Sequence, residues 1–316
     1  MKMNKSFKKA GIFLSSLVLA TTLAWNTPMV QGYETKNPEP KKYALLIGGG
    51  TNKYDDHESF YSNIELVYQS LKDKGYKDKD IDVLYFGGKT DKHPLAENNA
   101  DKETITESLD DIANKITPKD KLVIFRSGHG MLDIIFENYG IISIKNPLGP
   151  DDPIPKSIGD ASVMELPDGE IIADFEFKEY LKNIKAKEII VILNQCYSGG
   201  FNDITKDLDN TVVITESTKS EQAFKWLAGD TMKYSEWPFV RLIFDAFNGE
   251  DYEGNPVDAD INGDDKISLN ESFDYMFENN PLVNGVRMVN KMGYVKKETP
   301  HITYGKNLKK GGVFLE

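Results

Sequence analysis

The chain predicts an α/β fold with a mostly parallel central sheet and helices on both faces, and three observations lead there. Short, largely apolar runs rich in β-branched residues recur at Tyr43–Ile47, Lys121–Phe125 and Ile189–Leu193, the pattern of strands buried on both faces. Segments of helical period stand between the first two, at Phe60–Lys74 and Thr104–Ile116. Alternation of this kind is built from right-handed crossovers and gives a parallel sheet.

Taken in order, Tyr43–Ile47 runs into Gly48-Gly49-Gly50, a turn that backbone can approach closely. Phe60 to Lys74 carries Phe60, Ile64, Val67 and Leu71 on one stripe, and Gly75 is its stop. Ile81–Phe86 is the next strand. Thr104 to Ile116 follows as a helix with Leu109, Ile112 and Ile116 on one side. After the strand Lys121–Phe125, the residues flanking Asn138-Tyr139-Gly140 predict a β-hairpin between Ile134 and Ile144. Asn146 to Gly169, rich in proline and acids and without period, predicts a long surface loop. Glu176–Ile184 is a helix, Thr211–Thr215 a strand, and Trp237–Phe247 a helix with a broad apolar face.

The N-terminus has Lys2, Lys5, Lys8 and Lys9, an uncharged apolar stretch from Ala10 to Ala24, and a polar segment ending in Val30-Gln31-Gly32. That order predicts a secretory signal peptide over 1–32, followed by an exposed leader over 33–42. An uncleaved anchor is the alternative, but the stretch is short against the roughly 20 residues of a spanning helix. Stable membrane insertion is therefore not expected. The remaining organisation reads as one domain over 43–250 and a C-terminal segment over 251–316. With 38 basic against 50 acidic residues, a formal charge of −12, nucleic acid is not an expected partner. Oligomeric state has no signature in the sequence.

Cys196 is the only cysteine, so no internal disulfide can form. It follows Ile189–Leu193 in Asn194-Gln195-Cys196-Tyr197-Ser198-Gly199-Gly200, past the carboxyl end of a core strand, where ligands and chemistry collect in α/β sheets. One reading is a nucleophile; the other is a buried cysteine acting as a small hydrophobe. Among the four histidines, His129 alone follows a core strand, within Arg126-Ser127-Gly128-His129-Gly130. If the two strands are parallel members of one sheet, they deliver His129 and Cys196 to the same edge. An imidazole there can take the thiol proton or stabilise a thiolate. The backbone N–H groups of Gly130 and Cys196 are then candidates to hold an oxyanion.

These blocks, in the order strand-Gly-Gly-Gly (Leu45–Gly50), strand-Ser-Gly-His-Gly (Leu122–Gly130) and strand-Asn-Gln-Cys-Tyr-Ser-Gly-Gly (Ile189–Gly200), resemble the legumain-like peptidases of the caspase and gingipain clan. The resemblance covers about Tyr43 to Phe247. It implies a caspase-like three-layer sandwich and a cysteine endopeptidase or transpeptidase acting on peptide or protein substrates, with His129 and Cys196 as the dyad and Gly130 in the oxyanion hole. Legumains that cut after asparagine carry an acid two positions before the cysteine, where this chain has Asn194. They also carry an arginine-histidine pair after the first glycine turn, where this chain has Tyr54-Asp55-Asp56-His57. Asp56, Asn194 and Glu216 are therefore candidates for a specificity pocket, and an acidic pocket for Arg or Lys is the alternative to asparagine.

A second pattern lies in Asp258–Glu271. With Asp260 first, oxygen ligands fall at Asp260, Asn262, Asp264, the carbonyl of Lys266, Ser268 and Glu271, with Ile267 at the apolar eighth position. This is the register of an EF-hand calcium loop, with Asp265 where glycine is usual; an accidental pattern in a solvated acidic loop is the alternative. The helix Leu269–Phe277 follows. The expected function is a secreted cysteine peptidase with a structural calcium site. The alternative is a catalytically silent, calcium-stabilised binding module of the same fold.

Overall fold

A computed structural model describes residues 39–54, 58–132, 161–223, 238–283, 288–289, 295–296 and 298–316. The predicted signal peptide, most of the leader, Asp56 and the predicted hairpin between Ile134 and Ile144 lie outside the described residues. The elements are β1 Lys42–Gly49, α1 Glu58–Asp73, β2 Ile81–Tyr85, α2 Lys102–Lys115, β3 Lys121–Gly128 and β4 Gly130–Leu132. They continue with β5 Ser162–Glu165, β6 Ile171–Ala173, α3 Asp174–Lys182, β7 Glu188–Asn194, β8 Thr211–Thr215, α4 Pro238–Asn248, α5 Leu269–Asn279, β9 Met288–Val289, β10 Val295–Lys296 and β11 His301–Tyr304.

Six strands form the central sheet in the order β11-β8-β7-β3-β1-β2. Every pairing is parallel except that of β11 with β8. The strands are apolar on both faces because both are covered. On one face Leu46, Val123, Phe125, Ile190, Ile192 and Ile214 meet Phe60, Ile64, Val67 and Leu71 of α1 and the apolar sides of α4 and α5. On the other, Leu45, Ile47, Ile124, Val191 and Leu193 meet Ile105, Leu109 and Ile112 of α2 and Phe177 and Leu181 of α3. The result is three layers, helix on sheet on helix, as the sequence predicts.

Helix limits follow local chemistry. Asp101 caps α2 by accepting from the Thr104 N–H at 2.9 Å, so the helix starts earlier than its apolar stripe. Gly75, at φ +86°, ends the turn after α1. Several short strands depart from expectation, and two of them matter most here. Residues 161–169, expected within a surface loop, contain β5, whose Val163 and Met164 are buried. Their burial is possible because β5 lies between β4 and β6 in a small antiparallel sheet. The chain beyond 250 also returns to the main sheet, since β11 pairs with β8 from His301↔Thr215 to Tyr304↔Val212.

The strand order reverses at β1, whose neighbours are β2 on one side and β3 on the other. A reversal of this kind leaves a crevice beyond the carboxyl ends of the strands.

Candidate active site

Strands β3 and β7 pair in parallel as far as Ser127↔Asn194. His129 and Cys196 each stand two residues beyond that pair, so one register carries both to the same edge of the sheet. Contact between the turns is direct: a Cβ placed on Gly130 would lie 2.3 Å from the Cys196 carbonyl oxygen and 2.6 Å from Gln195 Nε2. Only glycine fits there. The His129 ring packs edge-on against Phe60 at the start of α1, with centroids 5.1 Å apart.

The β3 turn is fixed from below. The His129 carbonyl accepts from the Glu165 N–H at 3.1 Å and from Arg126 Nη2 at 3.0 Å. Arg126 is 2% exposed, and burial lowers its guanidinium pKa to about 10 against the opposing pull of Glu165. On the β7 side, Gln195 Nε2 donates to the Val163 carbonyl at 3.1 Å. Tyr197 takes a left-handed backbone, φ 57°, an uncommon conformation for a side chain of this size. Its N–H donates to the Glu221 carbonyl at 2.8 Å. Gly199 and Gly200 do more than relax the exit from this turn: a Cβ on Gly199 would meet Lys219 N at 2.4 Å, and one on Gly200 would meet Ser162 Oγ at 2.2 Å.

The thiol is partly enclosed by the segment after β8. Ala223 donates its N–H to Cys196 Sγ at 3.3 Å, and its carbonyl lies 3.7 Å from the sulfur. Burial pushes the thiol up to about 12; the Ala223 N–H opposes it, and smaller contributions from Glu216, Glu165 and Glu298 add to it.

Of the pocket candidates, Asn194 and Glu216 meet each other. Asn194 Nδ2 donates to Glu216 Oε2 at 2.5 Å, and Asn194 Oδ1 accepts from Ser127 Oγ at 2.6 Å and Asn63 Nδ2 at 3.0 Å. Glu216 is fully buried and faces Glu298, itself buried and hydrogen-bonded by Asn280 Nδ2 at 3.4 Å. Burial and then the like charge of Glu298 raise Glu216 well above the usual carboxylate range, against the pull of Asn194. This polar chain reaches α1 through Asn63. Ser127 stands in the Ser-Gly-His-Gly block, whereas Asn280 and Glu298 belong to no sequence motif, and Glu298 is far from Glu216 along the chain, so local patterning carries no trace of the pair.

The acidic loop after α4 is tied together by its own hydrogen bonds. Asp260 accepts from the N–H groups of Gly263, Asp264 and Asp265 at 2.8, 3.1 and 2.8 Å. Asp265 takes φ 61°, the left-handed turn for which glycine is usual. Ile267 packs on the core. Ser268 and Glu271 form a reciprocal cap at the start of α5, while Glu271 Oε1 accepts from the Asn262 N–H at 3.2 Å. The loop is braced by the C-terminal segment, with Leu269 N–H donating to the Val313 carbonyl at 2.8 Å. A turn over 249–257, closed by Val257 N–H to the Gly249 carbonyl, separates α4 from the loop. Among the described residues, no three His, Cys, Asp or Glu side chains gather as a metal cluster, and no helix is long and apolar enough to cross a membrane. A scan against protein-family models gives no match, and neither does a comparison with curated proteins.

Proposed function

We propose that the chain is an exported cysteine endopeptidase or transpeptidase of caspase-like fold, with Cys196 as nucleophile and His129 as base. The observation that carries this is the β3–β7 register, which sets both residues two positions past Ser127↔Asn194 at one sheet edge. A thiol held near 12 needs a base at the moment of attack. In the proposed reaction His129 takes the Sγ proton as sulfur bonds to the scissile carbonyl carbon. The N–H groups of Gly130 and Cys196 hold the resulting oxyanion. Collapse breaks the C–N bond, and the imidazolium gives its proton to the leaving amine. Water, or a second amine in transpeptidation, then attacks the thioester with His129 again as base, and the thiol returns. Wild type and Cys196→Ala, compared on a mixed peptide library, test this: cleavage by wild type alone is expected, and equal cleavage by both refutes it.

The enclosure of the thiol by Ala223 favours a second reading, a silent binding module with a structural cysteine. Iodoacetamide separates the two. If His129 is the base, alkylation of Cys196 near pH 7 slows in His129→Ala; in a silent fold the two proteins alkylate alike.

The loop from Asp260 to Glu271 fits calcium by its register and its turn at Asp265. Asp260, Asn262, Asp264, the Lys266 carbonyl, Ser268 and Glu271 would hold the ion as an EF-hand-like extension, and the ion would neutralise these carboxylates and brace α5. A melting temperature that rises with calcium in wild type, and not in the Asp260→Ala/Glu271→Ala protein, is the expected outcome; an equal response in both sinks the assignment. Export predicts a mature protein that begins near residue 33 when the secreted product is sequenced from its N-terminus, and an intact N-terminus overturns it.

A further inference from the structure

Strand β5 touches both chemical turns through two side chains to which the sequence motifs give no role. Arg126 stands three residues before His129, and its Nη2 donates to the Glu165 carbonyl at 2.5 Å as well as to the His129 carbonyl at 3.0 Å. Gln195 stands one residue before Cys196 and donates to the Val163 carbonyl at 3.1 Å. Carbonyls two residues apart on a strand point to the same side and lie about 7 Å from each other. One short strand thus receives one bond from each turn, at two points whose separation its own backbone fixes. Pairing of Gly130 with Met164 fills the position between them.

The cost of this arrangement shows what it is for. Among the described residues, Arg126 Nε and Nη1 are buried without a hydrogen-bond partner, and Nη2 makes the guanidinium's hydrogen bonds there. Gly128 makes room for the group, since a Cβ there would lie 2.2 Å from Nη1. A buried, half-satisfied cation is a poor stabiliser, and an apolar side chain of the same volume would commonly hold the fold as well or better. What the cation does supply is geometry at the His129 peptide.

We infer that Arg126 and Gln195 are positioning residues which, through the Val163 and Glu165 carbonyls of β5, set the spacing between His129 and Cys196. This rests on the proposed base and nucleophile roles. Neither residue touches substrate; each acts by holding its turn. A displacement of about 1 Å between reacting groups costs on the order of a hundredfold in rate, so loss of either bond should be read in how well His129 assists the thiol.

The test is the rate of Cys196 alkylation by iodoacetamide at pH 7 divided by that at pH 10.5, in the full chain. At pH 7 the rate depends on the imidazole; at pH 10.5 hydroxide removes the proton and dependence on His129 fades. Wild type, His129→Ala, Arg126→Met, Arg126→Lys and Gln195→Met are compared, each checked by thermal melt. Wild type should exceed His129→Ala. Gln195→Met and Arg126→Lys should lower the ratio about tenfold, part of the hundredfold expected for a full displacement, and Arg126→Met should approach His129→Ala. General loosening would instead speed alkylation at both pH values and leave the ratio alone, which overturns the inference, as do unchanged ratios in variants that melt like wild type. If Arg126→Met does not fold, Gln195→Met and Arg126→Lys decide. A wild-type ratio equal to that of His129→Ala is a distinct outcome: it removes the proposed base, and the positioning role with it.

Discussion

Replacing Glu216 by glutamine should make the protein more stable at neutral pH, although it removes a charge beside a hydrogen-bond donor. Glu216 is buried against Glu298, and its folded pKa is raised well above its ordinary value of 4.5, by burial first and by the neighbouring carboxylate second. A raised acid favours the folded state in its protonated form. Its contribution is complete below the unfolded value and is lost as pH rises toward the folded one, at about 1.4 kcal/mol per pH unit. As pH rises above the unfolded value the wild type therefore gives up stability that the variant keeps. The amide loses little in exchange: its oxygen can still accept from Asn194 Nδ2, which donates to Glu216 Oε2 at 2.5 Å, and its nitrogen can donate toward Glu298. Urea unfolding of both proteins at pH 5, 6, 7 and 8 measures the difference, which should widen in favour of the variant as pH rises, and thermal scans at pH 7 should show the variant melting higher. Parallel stability curves for the two proteins, or a variant less stable at pH 7, would refute the argument.

Three further outcomes follow from packing and backbone. Gly130→Ala sets a methyl group 2.3 Å from the Cys196 carbonyl oxygen; it should cost about 1–3 kcal/mol in denaturant titration and lower any Cys196-dependent peptidase turnover by on the order of a hundredfold. Asp265→Gly relieves a left-handed φ of 61° and should raise calcium-free stability by about 1 kcal/mol, whereas Asp265→Ala should not. Phe244→Ala, at a fully buried ring packed edge-on against Phe125 with centroids 6.2 Å apart, should cost about 3–5 kcal/mol in the same titration.

The parallel core was legible because burial on both faces forces continuous apolar strands, and Ile189–Leu193 could be little else. The edge that carries His129 and Cys196 was legible for the same reason. Short strands were not. Ser162–Glu165 is four residues of mixed character, and its burial depends on β4 and β6 rather than on any period of its own. Arg126 hid the end of β3: a charge after Phe125 reads as the strand's exit, since burying it is costly, yet the strand continues to Gly128 around it. Glu216 was visible as an acid past a strand. Its proximity to Glu298 was not, because that meeting depends on how the segment after α5 returns to the sheet.

That return has a consequence for the unfinished chain. Until His301–Tyr304 docks, β8 offers a row of open amide and carbonyl groups along Thr211–Thr215, next to four parallel strands already able to assemble. Such an edge is a template for another molecule. Chains ending near residue 300 should therefore self-associate more than either shorter fragments lacking β8 or chains that reach Tyr304, so a single four-residue antiparallel strand acts as the molecule's guard against aggregation.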